Sequence, residues 1–307
     1  MFTRLYRHRF PDDGASFTYH GAGYGPGQNG VEAKVLTGDV NAILDFRFAA
    51  VPALSWYFDH HVSAFATPED RAFYERVAAE GEAHGERRLF HDGAYSSATK
   101  LIADVGRERF GLDPAPTEEL VRWADIIDSA GFHDAKMAVE RTEPELQLMT
   151  VVEHLGDDGF LAKMVPRLLE HPLSEVARMP DVAQAYEPLR RAHEGFVKLV
   201  EQSAKPMGAV VLVDLSDELI EVAGKFVTYA LFPKSAYSVI LSRSKSKCKI
   251  SIGYNPWSNV ERRHNIAAIC ERYGGGGHPV VGAIALPADK LEEAKALATS
   301  IAAELAA

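Results

Sequence analysis

The hydrophobic positions of this chain follow two patterns: short apolar runs typical of buried strands, and longer stretches with helical spacing. Runs at Ala42–Phe46 and in LSWYFDHH (54–61) predict two strands, and SFTYHG (16–21) predicts a shorter one. Helical spacing predicts helices over 1–10, after the N-cap Thr67, over 95–111 and over 117–132, and a mostly helical stretch over 135–203. The order of these elements favours an α/β N-terminal domain.

The pattern changes at Lys205, where Pro206 and Gly208 precede a β-branched apolar run. The predicted order from there is strand 209–214, helix 217–231, strands 237–243 and 247–253, helix 259–272, a glycine-rich turn, strand 280–286 and helix 288–305. We therefore expect an α/β fold with a parallel-sheet domain and helical connector over 1–195 and a smaller α/β domain over 205–307.

Composition narrows the class of protein. The 307 residues include no apolar run of the length that spans a bilayer, and the two cysteines form no disulfide framework. These features predict a cytoplasmic protein without a membrane partner. The net charge is −10, yet residues 205–307 hold 12 basic and 10 acidic residues, so the acidity lies in the first part. Solubility alone could explain this asymmetry, although an acidic first part also suits divalent cations.

Asp and His residues follow the ends of two predicted strands. Asp45 closes one apolar run, and Asp59, His60 and His61 close another. The carboxyl ends of parallel strands share one edge of a sheet, so the two groups can converge there. Carboxylate and imidazole ligands together suit Mn²⁺, with Mg²⁺, Fe²⁺ or Zn²⁺ as alternatives. The competing interpretation is two histidines on a solvated loop, with Asp59 capping a helix.

Four consecutive glycines precede a histidine in YGGGGHP, Tyr273–Pro279. Such a run lets the backbone approach a ligand closely and offer N–H groups as an anion-binding nest. A flexible turn is the alternative, but a turn needs fewer glycines. A second glycine-rich stretch, at 21–30, lacks the lysine of a phosphate-binding loop, so no catalytic role is assigned to it.

Taken together, Asp59-His60-His61 early in the chain and Gly274–His278 late in it resemble the motifs of the DHH phosphoesterase superfamily, of the RecJ-like kind, with its DHH-associated C-terminal domain. The order of the two motifs and the helical segment between them also agree. The resemblance covers essentially the whole chain and implies a manganese-dependent phosphoesterase. Two Mn²⁺ ions are expected in the family, and Mg²⁺ is an alternative.

The resemblance also implies roles for particular residues. The metal ligands would be Asp45, Asp59, His60 and Asp128, with Asp125 a less favoured alternative to Asp128. The catalytic group would be Asp59, His60 and His61, near the Ser/Thr-rich helix start at Ser96, Ser97 and Thr99. The substrate would be bound by Arg243 in LSRS and by Gly275, Gly276, Gly277 and His278.

One motif of the family does not match. Family members begin with a strand that carries a His-x-x-x-Asp-x-Asp type motif, which supplies about half of the metal ligands. The candidates here, His8, Asp12 and Asp13, have the wrong spacing and follow a helical pattern. We therefore expect this strand to be encoded upstream of Met1, with His8, Asp12 and Asp13 as replacement ligands if it is not.

The expected substrate is a small phosphoester, such as a short oligonucleotide, a dinucleotide or a nucleotide phosphate, or a short single-stranded nucleic acid. A polyphosphatase or pyrophosphatase is the alternative within the enzyme class. A catalytically impaired nucleotide-binding protein is the alternative outside it, because the first metal motif is missing. The acidic net charge argues against a long duplex partner. A homodimer is compatible with the resemblance.

Overall fold

A computed structural model describes residues 1–23, 30–220 and 224–307, with the Lys225 side chain left out. The chain divides into two compact units that interleave along the sequence: the first comprises Met1–Gly131 and Gln147–Ala183, and the second Phe132–Leu146 and Gln184–Ala307. Within the described ranges, no helix combines the length and apolar character needed to cross a membrane.

The first unit contains a small parallel sheet and the helices around it. Its strands are β1 (Asn41–Leu44), β2 (Leu54–Asp59) and β3 (Leu89–His91). Its helices are α1 (Phe2–Arg9), α2 (Pro68–Ala83), α3 (Ala98–Phe110), α4 (Glu118–Asp128), α7 (Asp158–Glu170) and α8 (Leu173–Ala177), with most of α6 (Pro144–Leu155) and the start of α9 (Pro180–Ser203). Helix α5 (Ala135–Glu140) lies between α4 and α6 in the sequence but belongs to the second unit.

Strand alternation in β2 builds a core on each face of this sheet. The strands lie in the order β1-β2-β3, all parallel. Trp56 and Phe58 pack on one face with Leu5 of α1 and with residues of α3, whereas Tyr57 packs on the other face with Tyr74 of α2. Because both faces are covered, β2 is apolar from Trp56 to Phe58, and its buried polar side chain, Asp59, stands at its carboxyl end.

The second unit contains a larger mixed sheet. Its strands are β4 (Ala204–Met207), β5 (Val210–Leu219), β6 (Tyr237–Arg243), β7 (Lys247–Tyr254), β8 (Gly276–His278) and β9 (Val281–Pro287). Its later helices are α10 (Lys225–Leu231), α11 (Ile266–Glu271) and α12 (Leu291–Ala306). Among the described residues the strand order is β4-β5-β6-β7-β9-β8, with only the β5–β6 pair parallel.

Alternation again separates two cores in this sheet. Val239 and Leu241 of β6 face the cluster that includes Ile301 of α12, together with Ile250 of β7. Ile240 faces a second cluster with residues of α9 and α10. The α/β class, the parallel first sheet and the smaller C-terminal α/β domain predicted from the sequence are confirmed.

Several predicted elements were wrong in detail. SFTYHG forms no strand. Strand β5 continues to Leu219, into the region predicted as a helix over 217–231, and α10 is Lys225–Leu231. Residues 221–223 of that predicted helix lie outside the described ranges. The helix predicted over 259–272 is limited to α11. The short strands β3, β4 and β8 were not predicted; β4 contains Pro206, which an edge strand tolerates. Residues 24–29 of the first glycine-rich stretch are also outside the described ranges.

The chain passes between the two compact units more than once. The domain boundary expected near 195–205 stays a prediction. Residues 132–146 belong to the second unit although they lie far upstream of Lys205. Their place is explained by packing, since Val139 of α5 joins the core formed by Val200 of α9 and Val213 of β5. A linear reading of apolar periodicity has no means of assigning α5 to a core that is completed much later in the chain.

Candidate metal centre

Asp45 follows β1 directly, in a turn that the sheet holds in place. Its backbone has a φ of 56°, in the left-handed region that aspartate tolerates better than most side chains. Its N–H donates to the Phe58 carbonyl at 2.8 Å, so the turn is tied to β2. The hydrogen bond sets the Asp45 carboxylate at the carboxyl edge of the parallel sheet, beside the end of β2.

The imidazole of His60 is oriented by a backbone carbonyl. Nδ1 of His60 lies 3.0 Å from the Tyr95 oxygen, in the segment between β3 and α3. A carbonyl only accepts hydrogen bonds, so the network assigns the proton to Nδ1 and leaves Nε2 with a lone pair. Nε2 is buried and has no hydrogen-bond partner among the described residues.

Two carboxylates lie next to that nitrogen. Nε2 of His60 is 3.3 Å from Oδ1 of Asp45 and 3.2 Å from Oδ2 of Asp128. A buried imidazole lone pair between two carboxylate oxygens is stable only with a positive centre among them, either a proton on Nε2 or a cation. One nitrogen and two carboxylate oxygens are ligands that Mn²⁺ and related divalent cations accept, so these residues fit a metal site.

His61 extends the group. Asp45, His60 and His61 each offer one ligand atom, and the three atoms all lie within 4.8 Å of one another. Nδ1 of His61 lies 2.7 Å from Oδ1 of Asp59 and 3.7 Å from Oδ1 of Asp45. His61 is also half-exposed, whereas the His60 side chain is only 12% exposed. His61 therefore faces both the carboxylate group and the solvent from which a substrate would arrive.

Asp59 holds the turn rather than facing the group. Its side chain is fully buried, and Oδ1 accepts from the backbone N–H groups of His60 and His61 at 2.9 and 3.3 Å. Oδ2 lies 3.0 Å from the hydroxyl of Tyr57. With these partners and the imidazole of His61, both oxygens are engaged inside the protein. The predicted role of Asp59 as a metal ligand stays a prediction, and its observed contacts are those of a residue that positions the two histidines.

Asp125 and Asp128 occupy different surroundings although both lie on α4. Asp125 accepts hydrogen bonds from the hydroxyls of Ser96 and Ser97, and its Oδ2 lies 3.6 Å from Nζ of Lys100. Ser97 is also the N-cap of α3. Asp125 therefore ties α4 to the start of α3, while Asp128, three residues later, faces His60.

The residues at the N-terminus make other contacts. Nε2 of His8 lies 2.9 Å from the Phe110 carbonyl, and Asp13 accepts from the Tyr6 hydroxyl at 2.5 Å. Asp12 is exposed. In the described ranges these three residues do not join the group of Asp45, His60 and His61.

Sequence reasoning missed two supporting residues. Tyr95 acts through its carbonyl, which no side-chain pattern can reveal. His91 ends β3, and its Nε2 lies 2.8 Å from the carbonyl of His61. The His91 contact could have been anticipated from Leu89-Phe90-His91, a short apolar run closed by a histidine, which repeats on a smaller scale the signal at β2.

The electrostatics of the group reflect its crowded charges. Burial and the nearby Asp128 carboxylate raise the pKa of Asp45 above its ordinary value. Burial lowers the pKa of His61, but the hydrogen bond to Asp59 and the charges of Asp59, Asp45 and Asp128 outweigh it, so the net pKa is raised. Neighbouring carboxylates contribute to both shifts in pKa, and a cation would neutralise part of that negative charge.

The glycine run of the second unit has a structural explanation. The N–H groups of Gly274 and Gly275 donate to the carbonyls of Glu271 and Cys270, which ends α11. A Cβ on Gly275 would lie 2.3 Å from the Ala283 oxygen, and one on Gly277 would lie 2.2 Å from the Val281 oxygen. Close packing of β8 on β9 therefore requires glycine at these two positions, and two of the N–H groups expected in an anion nest are already bonded.

A pocket of about 340 Å³ nevertheless opens beside this run. Its walls come from β6, β7 and the β8–β9 pair, and its lining includes Gly276, Gly277 and His278 of the predicted substrate site. Arg243, the predicted phosphate ligand, is not among the lining residues. Alternation along β6 puts Arg243 with Val239 and Leu241, on the opposite face from Ser238 and Ile240. Its role in substrate binding stays a prediction.

Comparison with solved structures identifies the fold. The structure is similar to that of PggH, a pGpG-specific phosphodiesterase from Vibrio cholerae, with a TM-score of 0.59 and 23% identity over 82% of this chain and 81% of that one. A DHH domain from a member of a family of ribosomal proteins gives a TM-score of 0.50 and 15% identity over 83% of this chain and 70% of that one. An exopolyphosphatase-related protein from Bacteroides fragilis gives a TM-score of 0.46 and 16% identity over 88% of this chain and 74% of that one.

Comparison with protein-family models and with curated proteins finds no match. The structural likeness alone establishes that the chain has the fold of the DHH phosphoesterase superfamily, as its two motifs predicted.

Proposed function

We propose that this protein is a metal-dependent phosphoesterase that hydrolyses a small phosphoester, such as a dinucleotide or a short oligonucleotide. The observation that carries the proposal concerns the buried Nε2 of His60, which lies between the carboxylates of Asp45 and Asp128 and has no hydrogen-bond partner in the described part of the chain. The fold supports it, since the similar PggH is described as a pGpG-specific phosphodiesterase.

In the proposed mechanism, Asp45, His60 and Asp128 would hold a divalent cation, Mn²⁺ by preference and Mg²⁺ as an alternative. The chemistry supplied by such a cation would be Lewis-acid neutralisation of charge on the phosphoryl group. The Tyr95 carbonyl keeps the proton of His60 on Nδ1, so Nε2 stays available as a ligand. The buried β2 end holds these groups in place before substrate binds.

His61 has a separate role in this proposal. Its Nδ1 is held by Asp59, which leaves Nε2 as the atom that can face a substrate. A protonated Nε2 can donate a hydrogen bond to a phosphate oxygen or a proton to the leaving oxygen. The carboxylate of Asp59 favours that protonated form and fixes the direction of the ring.

A hydrolysis panel tests the proposal. The protein is incubated with Mn²⁺ or Mg²⁺ and with pGpG, a second linear dinucleotide, a cyclic dinucleotide, 3′-phosphoadenosine phosphate and polyphosphate. Cleavage of a dinucleotide that is lost with EDTA and in His60→Gln is the expected result. Cleavage of polyphosphate alone would indicate the polyphosphatase alternative. Binding of nucleotides without cleavage of any substrate would indicate a nucleotide-binding protein.

A further inference from the structure

The segment between β3 and α3 is attached to the rest of the first unit at both of its ends. At its start the Asp92 N–H donates to the Asp59 carbonyl at 3.2 Å, and the Tyr95 N–H donates to the Asp92 carbonyl at 3.3 Å. At its end the Ser96 hydroxyl donates to Oδ1 of Asp125 on α4. The Tyr95 carbonyl belongs to the peptide bond that joins Tyr95 to Ser96, so this second attachment lies directly beside it.

Both carboxylate oxygens of Asp125 are engaged by this segment and by the first turn of α3. Oδ1 also accepts from the buried Ser97 hydroxyl at 3.3 Å, and Oδ2 lies 3.6 Å from Nζ of Lys100. Ser97 has a further partner, because its Oγ accepts from the Lys100 N–H at 3.1 Å. Within the described ranges the Ser96 side chain has no hydrogen bond other than the one to Asp125. Loss of the carboxylate would therefore release Ser96 more than Ser97.

Helix α4 contacts His60 by two routes. Asp125 and Asp128 are three residues apart, a spacing that makes side chains neighbours on a helix surface. Oδ2 of Asp128 lies 3.2 Å from Nε2 of His60. Asp125 reaches the other ring nitrogen indirectly, through Ser96 and the carbonyl that lies 3.0 Å from Nδ1. One helix thus supplies a carboxylate beside Nε2 and an anchor for the group that holds Nδ1.

We propose that Asp125 is a positioning residue of the metal centre, which fixes the Tyr95 carbonyl through Ser96 and so sets the direction of the His60 ring. This role requires Asp125 to accept hydrogen bonds, and it requires neither contact with a cation nor a negative charge. The inference rests on the proposed function for its purpose, since an oriented His60 serves to bind a cation.

Two substitutions separate hydrogen bonding from charge. Asp125→Asn keeps an oxygen that accepts from Ser96 and removes the negative charge, whereas Asp125→Ala removes both. We expect Mn²⁺ affinity, measured by calorimetry, to stay within about threefold of the wild-type value in Asp125→Asn and to fall by about 10- to 100-fold in Asp125→Ala. A carboxylate that acted mainly as a ligand or by its charge would lose its effect in both variants.

The metal-free protein provides a readout that involves neither a cation nor hydrolysis. The Nδ1 proton of His60 is held by the Tyr95 carbonyl, and the side chain is largely buried, so this proton should exchange slowly with water and give an NMR resonance. Its absence in His60→Gln identifies it. We expect the resonance in the wild type and in Asp125→Asn, and exchange at least about tenfold faster in Asp125→Ala.

Asp157→Ala is the matched control, because Asp157 lies in the same unit and caps α7 by accepting from the Phe160 N–H at 2.8 Å. It should lower the stability in urea without changing Mn²⁺ affinity or the His60 resonance. Ser96→Ala should reproduce the effects of Asp125→Ala, and the double variant should lose little more than either, because both changes break one contact. If Asp125→Ala does not fold, Ser96→Ala provides the comparison.

Three results would overturn the inference. One is an equal loss of Mn²⁺ affinity in Asp125→Asn and Asp125→Ala, which would assign the effect to charge. Another is unchanged Mn²⁺ affinity and an unchanged His60 resonance in folded Asp125→Ala or Ser96→Ala. The third is additive losses in the double variant, which would exclude the route through Ser96.

The inference and the proposed function fail in different ways. If no phosphoester is cleaved with Mn²⁺ while the His60 resonance still depends on Asp125, the positioning role stands and the enzymatic proposal is wrong. If the protein cleaves a dinucleotide with Mn²⁺ and Asp125→Ala leaves kcat/KM, Mn²⁺ affinity and the resonance unchanged, the positioning role is wrong and the enzyme stands.

Discussion

Nδ1 of His60 lies 3.0 Å from the carbonyl oxygen of Tyr95. This contact determines which end of the imidazole faces Asp45 and Asp128, because the carbonyl can only accept the Nδ1 proton. The backbone between β3 and α3 thus prepares Nε2 as a ligand atom through an uncharged group. Ligands held this way lose little freedom when a cation binds.

Replacing His60 tests whether the group is a metal site. His60→Gln removes the imidazole Nε2 between the two carboxylates, and we expect Mn²⁺ affinity to fall by at least ~100-fold, with kcat/KM falling by a similar factor. Isothermal titration with Mn²⁺ and steady-state hydrolysis measure the two effects. His84→Gln is the control, because His84 is exposed and its ring is hydrogen-bonded to the Glu80 carbonyl on α2. Wild-type Mn²⁺ affinity in His60→Gln would contradict the assignment.

Asp59 should matter for stability as well as for activity. In Asp59→Ala the N–H groups of His60 and His61 lose their acceptor, and the Tyr57 hydroxyl keeps only the Phe46 carbonyl of its two acceptors. Burial of the site prevents water from replacing all of the lost contacts. We expect the free energy of unfolding in urea to fall by about 2–4 kcal/mol. Asp12→Ala, at an exposed position, should change it by less than about 0.5 kcal/mol. Equal stabilities of the two variants would show that the Asp59 contacts contribute nothing.

Much of the fold, and the convergence of Asp45, His60 and His61, could be predicted from the sequence. Apolar runs that end in Asp45 and in Asp59-His60-His61 mark strand ends, and parallel strands bring such ends together. The choice of Asp128 over Asp125 came from the family resemblance, and the structure puts Asp128 beside His60 and Asp125 beside Ser96. A helical pattern alone could not separate two acids on the same helix, less than one turn apart.

Features that depend on backbone packing could not be predicted. The glycine run suggested a ligand-binding nest. However, glycine is required at position 275 because a Cβ there would clash with the backbone oxygen of Ala283 on β9. Likewise, no sequence motif marks the pocket beside the run, whose walls come from β6, β7 and the β8–β9 pair. Both cases depend on strand pairing between segments far apart in sequence, which local patterns do not encode.

The glycine run contains its own matched pair of positions. Gly275→Ala would set a Cβ 2.3 Å from the Ala283 oxygen, so we expect the free energy of unfolding to fall by about 1–3 kcal/mol. The Cβ added in Gly276→Ala would have no atom within 4 Å, so the free energy of unfolding should stay within about 1 kcal/mol of the wild-type value. Urea unfolding monitored by circular dichroism compares the two. If Gly276→Ala were the less stable variant, the packing explanation of the run would be wrong.

His193 should make stability depend on pH. Burial, and secondarily the charge of Arg141, lower its pKa below the ordinary value of 6.5. The unfolded chain therefore takes up a proton on His193 at higher pH than the native protein does. The contribution of neutral His193 to the free energy of unfolding is present above pH 6.5 and is lost as pH falls through the lower native pKa.

His193→Gln removes this titration and keeps a donor for the Val139 carbonyl, which Nε2 of His193 contacts at 2.8 Å. Between about pH 7.5 and pH 5 the urea midpoint of the wild type should fall further than that of the variant. If the urea midpoints of the two proteins fell equally with pH, His193 would not be the cause of the pH dependence.

The last prediction concerns how many ions the chain holds. Within the described ranges, one group of ligand atoms surrounds Nε2 of His60, while His8 and Asp13 are hydrogen-bonded elsewhere. We therefore expect mass spectrometry under native conditions to show one tightly bound Mn²⁺ per chain. At a free concentration of ~100 times its Kd, one ion should raise the free energy of unfolding by about 2.7 kcal/mol, and His60→Gln should abolish the increase. Two tightly bound ions would contradict this, and loss of the second ion in Asp12→Ala would then assign a ligand role to the N-terminal acids.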